Sequence, residues 1–225
     1  KDIGPVYSPT SVAIADLNAD GRLDLAVAAE HLRGGVSVLF GNGDGTFGPK
    51  TDYYTADNTG MSVAIADLNG DGRLDLVVVA GDFPATVSVL VGNLDGTFTI
   101  MGTLGADPYA RFVSIGDLNA DGRPDVVVGS ASGIVSVWLG SSSGWFGPRS
   151  DYSAGSRSVA IADLDADGQM DLVTAGGIVS LLLGNGDGTF RTSTKFGSGP
   201  YHGSVSAADL NADGQPELVV TNAWS

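Results

Sequence analysis

The sequence predicts an all-β fold assembled from repeats, and three observations support that prediction. An acidic segment of nine residues, DLNADGRLD from Asp16, recurs in close variants that begin at Asp67, Asp117, Asp163 and Asp209. These starts are 51, 50, 46 and 46 residues apart. Short runs of alternating apolar residues flank each copy, and no segment shows a sustained helical period. A four-stranded unit of this length in tandem is typical of a β-propeller, so we expect about five four-stranded antiparallel blades.

Each repeat is predicted to contain four short strands. In the first copy, Ser11–Ala15 alternates large and small apolar residues, and the acidic segment follows it. Leu25–Ala28 and Val36–Phe40 carry the composition of a second and a third strand. The turn Gly41–Gly45 is rich in residues that accept positive φ, and a fourth strand is expected to begin near Thr46 and Phe47 and to run toward Tyr53.

Small residues recur in the first strand, where they suit the crowded innermost position of a blade. They are Ala13, Ala15, Ala64, Ala66, Ala160, Ala162, Ala207 and Ala208. We expect a single domain over residues 1–225, with repeats at approximately 11–60, 61–110, 111–156, 157–202 and 203–225 plus 1–10. A right-handed solenoid of hairpins is the alternative arrangement.

The fifth repeat is incomplete in sequence. It supplies a first strand near Ser204–Ala208 and a second near Leu218–Thr221, without a third strand or a GNGDGTF-like turn. The segment Ile3–Tyr7 stands where a fourth strand is expected, and it could close a ring by pairing with those two strands. Alternatively, the chain is a piece of a longer array, or a neighbouring copy completes the unpaired strand edge.

The charge balance indicates metal sites rather than an acidic tail. The chain has 26 acidic and 11 basic residues and a net charge of -15, and 16 of the acids lie in the five acidic segments. The rest of the chain is therefore nearly neutral, and five divalent ions would bring the whole to about -5. No basic stripe is present, which argues against a nucleic-acid partner. No apolar stretch approaches a membrane span in length, and the absence of Cys excludes disulfides and thiolate ligands.

Each acidic segment arranges oxygen ligands around a glycine, as calcium requires. Counted from its first Asp, positions 1, 3, 5 and 9 carry side-chain oxygens and position 7 offers its carbonyl, while the glycine at position 6 permits a sharp turn. Carboxylates this close together would repel one another without a counter-ion. Ligation by oxygen alone favours calcium over zinc or copper. The alternative, a solvated acidic turn, is disfavoured by five copies in phase.

The segment is not an EF-hand, because position 12 is Val27 in the first copy and Val78 in the second, where that motif requires Glu. The patterns DLNADGRLDLAV and VSVLFGNGDGTF instead resemble the FG-GAP/VCBS repeats of integrin α-subunit propellers and of many microbial secreted proteins. The resemblance covers essentially the whole chain. It implies about five calcium ions, one in the hairpin between strands 1 and 2 of each blade. It also implies similarity to seven-bladed fungal lectins, which bind sugars between blades.

Transferred position by position, the resemblance assigns the metal ligands of every repeat, with position 7 acting through its backbone carbonyl. They are Asp16, Asn18, Asp20, Arg22 and Asp24; Asp67, Asn69, Asp71, Arg73 and Asp75; Asp117, Asn119, Asp121, Arg123 and Asp125; Asp163, Asp165, Asp167, Gln169 and Asp171; and Asp209, Asn211, Asp213, Gln215 and Glu217. Asp165 adds a fourth carboxylate, so the fourth site is expected to bind most tightly. Glu217 is longer than Asp, so the fifth site is expected to be looser.

We expect a binding protein and not an enzyme. Gly43–Gly48 matches GxGxxG and Gly140–Gly144 matches GxSxG. Each segment lies between two predicted strands, however, whereas both motifs must lead into a helix. His31 and His202 are the only side chains suited to act as bases at neutral pH, and both are expected in surface loops.

Binding is predicted on the blade face that varies between repeats, formed by the 2–3 and 4–1 connections. Aromatic rings beside hydrogen-bonding groups suit sugar recognition, although such tyrosines could instead pack between blades. The candidates are His31, Arg33, Asp82, Phe83, Tyr109, Arg111, Arg157, Tyr201, His202 and Trp224. Tyr53 and Tyr152, which recur in Asp-Tyr pairs of the fourth strand, are expected to be structural.

Two functions fit these features. The first is a lectin-like propeller that binds glycans and is stiffened by calcium. The second is a protein-interaction or adhesion module of a larger surface protein, or a self-assembling scaffold that forms homo-oligomers through the incomplete blade. Calcium loops of this open kind suit millimolar calcium, so the expected location is extracellular.

Overall fold

The computed structural model describes residue 6 and residues 8–30, 35–55, 60–80, 84–154, 157–196 and 202–222, and this part of the chain is all-β without a helix. Its strands are β1 Pro9–Ala15, β2 Asp24–Ala29, β3 Val36–Leu39, β4 Thr51–Tyr53, β5 Ser62–Ala66, β6 Asp75–Ala80, β7 Thr86–Gly92, β8 Phe98–Gly105, β9 Ala110–Gly116, β10 Asp125–Ser130, β11 Ile134–Trp138, β12 Ser150–Ser153, β13 Ser158–Ala162, β14 Asp171–Ala175, β15 Val179–Leu182, β16 Thr194–Phe196, β17 His202–Ala208 and β18 Glu217–Asn222. No helix among these residues is long and apolar enough to cross a membrane.

The strands form one sheet per repeat, as the sequence predicted. Four sheets have four strands each, in the sequential orders β1 to β4, β5 to β8, β9 to β12 and β13 to β16, while β17 and β18 form a two-stranded sheet. The strand pairs are antiparallel. Sequential four-stranded antiparallel sheets are the strand pattern of propeller blades, and the five sheets are called blades 1 to 5 below.

The fourth strand starts later than the sequence suggested in three of the four complete blades. Phe47 makes only an isolated bridge to Gly41, and β4 begins at Thr51. Pro49 lies in the gap, and proline has no N–H to donate to a ladder. In blade 2 the strand runs from Phe98 without a proline, but in blade 4 the strand begins only at Thr194 although residues 191–193 include no proline, so proline does not account for every late start.

The chain forms two compact units, residues 1–110 and 111–225, which divide at the boundary between the second and third repeats. Because side chains alternate across a strand, each blade has two faces. The valine face is the one that carries the Val of the first strand, Val12 in blade 1 and its counterparts Val63, Val113, Val159 and Val205. The alanine face is the opposite one, with Ala13 in blade 1.

Within each unit, the alanine face of one blade packs on the valine face of the next. In the first unit, Ala26, Ala28, Val36 and Val38 of blade 1 share a core with Val63, Leu76, Val78 and Leu90 of blade 2. In the second unit, Val127, Val135 and Val137 of blade 3 share a core with Val159, Leu172 and Leu182 of blade 4. Blade 4 repeats the arrangement, with Val173 and Ala175 packed on Val205 of blade 5.

The second strand of blade 5 is less well covered than that of blade 2. Its two strands match the prediction for the fifth repeat, but Leu218 and Val219 are 42% and 47% exposed, while the corresponding Leu76 and Val77 of blade 2 are fully buried. Apart from Val6, the segment Ile3–Tyr7, which is one candidate to close this sheet, lies outside the described residues.

Candidate metal centres

The acidic segment forms the loop between the first and second strands of every blade. In blade 1 it connects β1 to β2, and Gly21 at position 6 has φ +82°. The glycine at position 6 has a positive φ in the other four loops as well. This left-handed conformation is accessible to glycine at little cost, so the sharp turn inferred from the sequence is present in each repeat.

Backbone N–H groups fix the orientation of the loop carboxylates. Asp16 at position 1 accepts hydrogen bonds from the N–H groups of Asp20 and Gly21 at 3.0 and 2.8 Å, and Asp20 accepts one from the N–H of Arg22 at 2.9 Å. The same bonds recur in the other four loops. The loops therefore hold several acidic side chains in one turn with the side chains already oriented.

The carboxylate at position 9 has a second role that the sequence did not show. It is at most 1% exposed in the first four repeats, at Asp24, Asp75, Asp125 and Asp171. One oxygen accepts the N–H of position 2 at 2.8–3.0 Å. The other accepts the N–H of a glycine just after the third strand, or at its end in blade 2, at 2.7–2.9 Å. This carboxylate thus ties the acidic loop to the end of the third strand.

The glycine that donates to position 9 is required by a close approach. These residues are Gly41, Gly92, Gly140 and Gly184. A Cβ atom built on any of them would lie 2.2–2.4 Å from the backbone carbonyl oxygen of position 8, which is closer than real Cβ contacts. The sequence signal for this close approach is the Gly that follows each third strand, although a Gly at this place is equally typical of a hairpin turn.

The fourth loop brings the most carboxylates together. Asp163, Asp165 and Asp171 place carboxylate oxygens within 4.8 Å of one another, the single such acidic group among the described residues. The pKa of Asp165 is raised by desolvation and by the neighbouring charges of Asp167, Asp171 and Asp163. A cation bound among these oxygens would remove that repulsion, so an oxygen-ligated divalent ion fits this donor set.

Neighbouring acidic charges also act on the buried carboxylates at position 9 of blades 2 and 3. Burial raises the pKa of Asp75 and of Asp125, the hydrogen bonds from backbone N–H groups oppose this rise, and the acids at positions 1 and 5 add to it. The charged form of position 9 is therefore disfavoured by its surroundings. A divalent ion in the loop would favour that form.

In two loops the arginine at position 7 pairs with the acid at position 5, where it would compete with a bound cation. Arg73 pairs with Asp71, and Arg123 pairs with Asp121 at 2.9 Å. Desolvation acts to raise the pKa of Asp121, but the hydrogen bonds from Arg123 and Asn119 outweigh it and lower the pKa. The fourth loop has Gln169 at position 7, which has no charge to offer a carboxylate. We therefore expect the second and third sites to be weaker than the fourth.

Replacing Asp165 is expected to weaken the tightest calcium site, that of the fourth loop. Asp165→Asn removes the fourth carboxylate and makes position 3 like that of the other loops, so the affinity of this site should fall by about tenfold. The matched gain-of-charge variant is Asn18→Asp, which should raise the affinity of the first loop. Isothermal titration with calcium measures both. Identical titration curves for the parent chain and Asp165→Asn would contradict the ranking.

The fifth loop keeps part of the arrangement with a longer side chain. Glu217 accepts hydrogen bonds from the N–H of Leu210 at 2.7 Å and from the side chain of Asn211 at 2.8 Å. It is only half-buried, unlike Asp24 and its counterparts. The expectation that this site is looser stays a prediction.

Alanine at position 4 carries backbone strain in four of the five loops. Ala19, Ala120, Ala166 and Ala212 have φ between 56° and 62°, a left-handed conformation that is unfavourable for residues with a Cβ. The second loop has Gly70 here, with φ 73°. No atom lies within 4 Å of a Cβ built on Gly70, so an alanine there would meet no clash. The advantage of glycine over alanine at position 4 is therefore one of backbone conformation.

Replacing alanine by glycine at position 4, and glycine by alanine, should change the stability of the chain in opposite directions. Ala166→Gly is expected to raise the free energy of unfolding by about 0.5 kcal/mol, since relief of the left-handed strain exceeds the entropy that glycine adds to the unfolded chain. Gly70→Ala is the matched reverse change and should lower it by about 0.5 kcal/mol, since the same two effects act with opposite signs. Denaturant unfolding in a chelator measures both. A loss of stability in Ala166→Gly would contradict this assignment.

Few of the predicted ligand-binding residues can be placed. His31, Arg33, Asp82, Phe83, Tyr201 and Trp224 lie outside the described residues, as does the side chain of His202. Tyr109 lies in the β8–β9 turn with φ 64° and is 49% exposed. Arg111 lies in β9, and Arg157 is exposed just before β13.

The two tyrosines expected to be structural do join blades. The ring of Tyr53 meets that of Phe98 edge-on at 5.5 Å, and its hydroxyl accepts the N–H of Phe98 at 3.2 Å. Tyr152 and Phe190 form the same edge-on pair at 5.4 Å in the second unit. Burial raises the pKa of both tyrosines.

The motifs set aside in the sequence lie in hairpin connections. Gly43–Gly48 follows β3 and precedes β4, and Gly140–Gly144 follows β11 and precedes β12. Both of these connections are fully described, and neither leads into a helix.

A sequence model of the FG-GAP-like repeat matches the chain over residues 16–78, 77–128, 117–174 and 163–220. The matches run from the first acidic loop into β18 and include all five loops. A search of curated proteins found no match.

Proposed function

The chain belongs to the FG-GAP-like repeat family, a family of repeat-based binding and adhesion modules, and from this premise we propose that it is a calcium-stabilised extracellular propeller that binds carbohydrate. The five acidic loops would each hold one calcium ion through oxygens at positions 1, 3, 5, 7 and 9. The ion supplies charge neutralisation, and the protein supplies the oriented carboxylates. In this proposal the chain binds its ligand without turnover, because the carboxylates hold metal.

The observation that carries the calcium part is the acidic group of the fourth loop. The carboxylate oxygens of Asp163, Asp165 and Asp171 lie within 4.8 Å of one another, and desolvation together with the neighbouring charges raises the pKa of Asp165, so a counter-charge would stabilise the group. The hydrogen bonds that orient these side chains recur in all five loops, so the same chemistry is expected at each.

A cleft in the first unit supports the carbohydrate part. It has a volume of about 120 Å³ and lies between the acidic loops of blades 1 and 2 and the β7–β8 turn. Asn18, Arg73 and Asn93 offer hydrogen-bonding groups there, and Leu94 is 89% exposed at its side. Polar groups beside an apolar surface suit a sugar ring. The cleft opens on the metal-loop end of the blades, whereas Tyr109 lies in the connection at the opposite end.

A glycan array run in calcium and again after chelation tests the proposal. Saturable binding to one sugar class is expected in calcium, and a blank array from folded protein would contradict it. Two exposed side chains then locate the site: Leu94→Ala should abolish binding if the cleft is used, and Tyr109→Ala if the variable connections are used. An adhesion module that binds an extracellular protein is the second candidate, favoured by the family, and pull-down with surface proteins tests it.

A further inference from the structure

The valine face of blade 1 is an apolar surface that no described residue covers fully. Val12 and Ile14 are 56% and 59% exposed. Their counterparts in blade 2 are Val63, which is 6% exposed, and Ile65, which is partly buried. Large β-branched side chains on a sheet face are usually covered in folded proteins. The difference between Val12 and Val63 is that an alanine face packs on Val63.

The chain itself shows what covers such a face. In all three blade contacts described above, the alanine face of one blade packs on the valine face of the next. The register of the strand pairs fixes the composition of these faces. In blade 1, Val12 lies opposite Val27 and Ile14 opposite Leu25, so these four side chains form one apolar surface.

The alanine face of blade 5 is the complementary surface. Its β17 and β18 pair Ser206 with Val219, and Ala208 lies on the same face. Ser206 and Ala208 are exposed, and Val219 is 47% exposed. In blade 4 the equivalent residues Ala160 and Val173 pack on Val205 of the next blade. Blade 5 therefore presents a face of the kind that covers valine faces elsewhere in the chain.

We propose that two copies of this chain associate head to tail, with the alanine face of blade 5 of one copy packed on the valine face of blade 1 of the other. The contact is heterologous, since each copy uses two different surfaces. Contacts of this kind propagate into closed rings or open chains, according to the rotation between neighbours. The proposal depends on blade packing and not on the ligand or metal that the protein binds.

Charge sets the conditions for association. The net charge of -15 makes two copies repel at low ionic strength. Added salt should therefore strengthen association in the presence of a chelator. Calcium should strengthen it further if the acidic loops bind it, and this clause alone rests on the proposed function.

Sedimentation velocity over a concentration series tests the proposal with the full chain. The parent protein, of 22.7 kDa, should at least double its apparent mass as concentration rises. The double variant Val12→Asp/Ile14→Asp and the single variant Val219→Asp should each weaken association by about tenfold or more, because the contact would bury an unpaired charge. Met101→Asp, at a 44% exposed position in β8 away from both faces, is the control and should associate like the parent.

Mixing the two variants distinguishes a head-to-tail contact from other modes. The double variant keeps an intact blade 5, and Val219→Asp keeps an intact blade 1, so the mixture should form a one-to-one dimer that neither variant forms alone. A parent chain that stays monomeric in high salt would overturn the proposal. So would association that survives in Val219→Asp, which would mean that two valine faces pair with each other. All the substituted side chains are at least 44% exposed, so each variant is expected to fold. Circular dichroism checks that each variant is folded.

Discussion

Chelation of calcium is expected to lower the melting temperature of the chain by roughly 15 °C or more. An ion that binds only the folded state stabilises it by about 1.4 kcal/mol per site at a tenfold excess over its dissociation constant. Five sites would together contribute about 7 kcal/mol, and a domain of this size shifts by about 2–4 °C per kcal/mol. Differential scanning calorimetry in calcium and in EGTA measures the shift.

The repulsion among loop carboxylates acts in the same direction. Without a cation, desolvation and the charges around it raise the pKa of Asp165, so its ionised form destabilises the loop near neutral pH. Because the folded state binds this proton more tightly than the unfolded chain does, the destabilising contribution of Asp165 to the metal-free protein should diminish as pH falls toward the raised pKa. Calcium added back after chelation should restore the melting temperature, and magnesium at the same concentration should restore less of it. Superimposable melting curves with and without EGTA would contradict a structural role for the ion.

The acidic loops could be predicted from sequence because their chemistry is local. Every side chain of the set from Asp16 to Asp24 lies within nine residues, and the period repeats five times. The strands were predictable for the same reason, since alternation within Ser11–Ala15 is a local signal. The start of the fourth strand was less predictable, because β4 begins after Pro49 whereas β16 begins equally late without a proline before it.

Contacts between distant residues could not be predicted in this way. The N–H of Gly41 reaches Asp24 across 17 residues, and nothing in either residue type indicates the pairing. The side chains of Arg73 and Arg123 were assigned no role, because a ligand pattern at position 7 requires only a carbonyl. Likewise, Val12 and Val63 occupy the same place in the repeat, but only the structure shows that one is exposed and the other buried.

Replacing Asp24 by Asn is expected to destabilise the chain in calcium and in its absence. Asp24 is fully buried, and its two oxygens accept the N–H groups of Leu17 and Gly41 at 2.8 and 2.7 Å. An amide keeps only one oxygen, so its NH₂ group would face an N–H donor and leave that donor unsatisfied. The loss is expected to be about 3 kcal/mol, since these bonds are made to a charged acceptor and one buried donor loses its partner. Denaturant unfolding measures it under both conditions.

Asp20→Asn is the matched change in the same loop and separates the two roles of the acids. Asp20 is exposed, and the bond that it accepts from the N–H of Arg22 at 2.9 Å needs a single oxygen, which asparagine retains. The bond that its other oxygen accepts from the side chain of Asn18 at 3.2 Å lies in solvent, where its loss has little effect on stability. Asp20→Asn should therefore leave stability in EGTA within about 0.5 kcal/mol of the parent and reduce it only in calcium. Asp24→Asn should instead lose about 3 kcal/mol in both calcium and EGTA. If both variants lost stability only in calcium, position 9 would be a metal ligand alone, and the tie between the loop and the third strand would contribute nothing to folding.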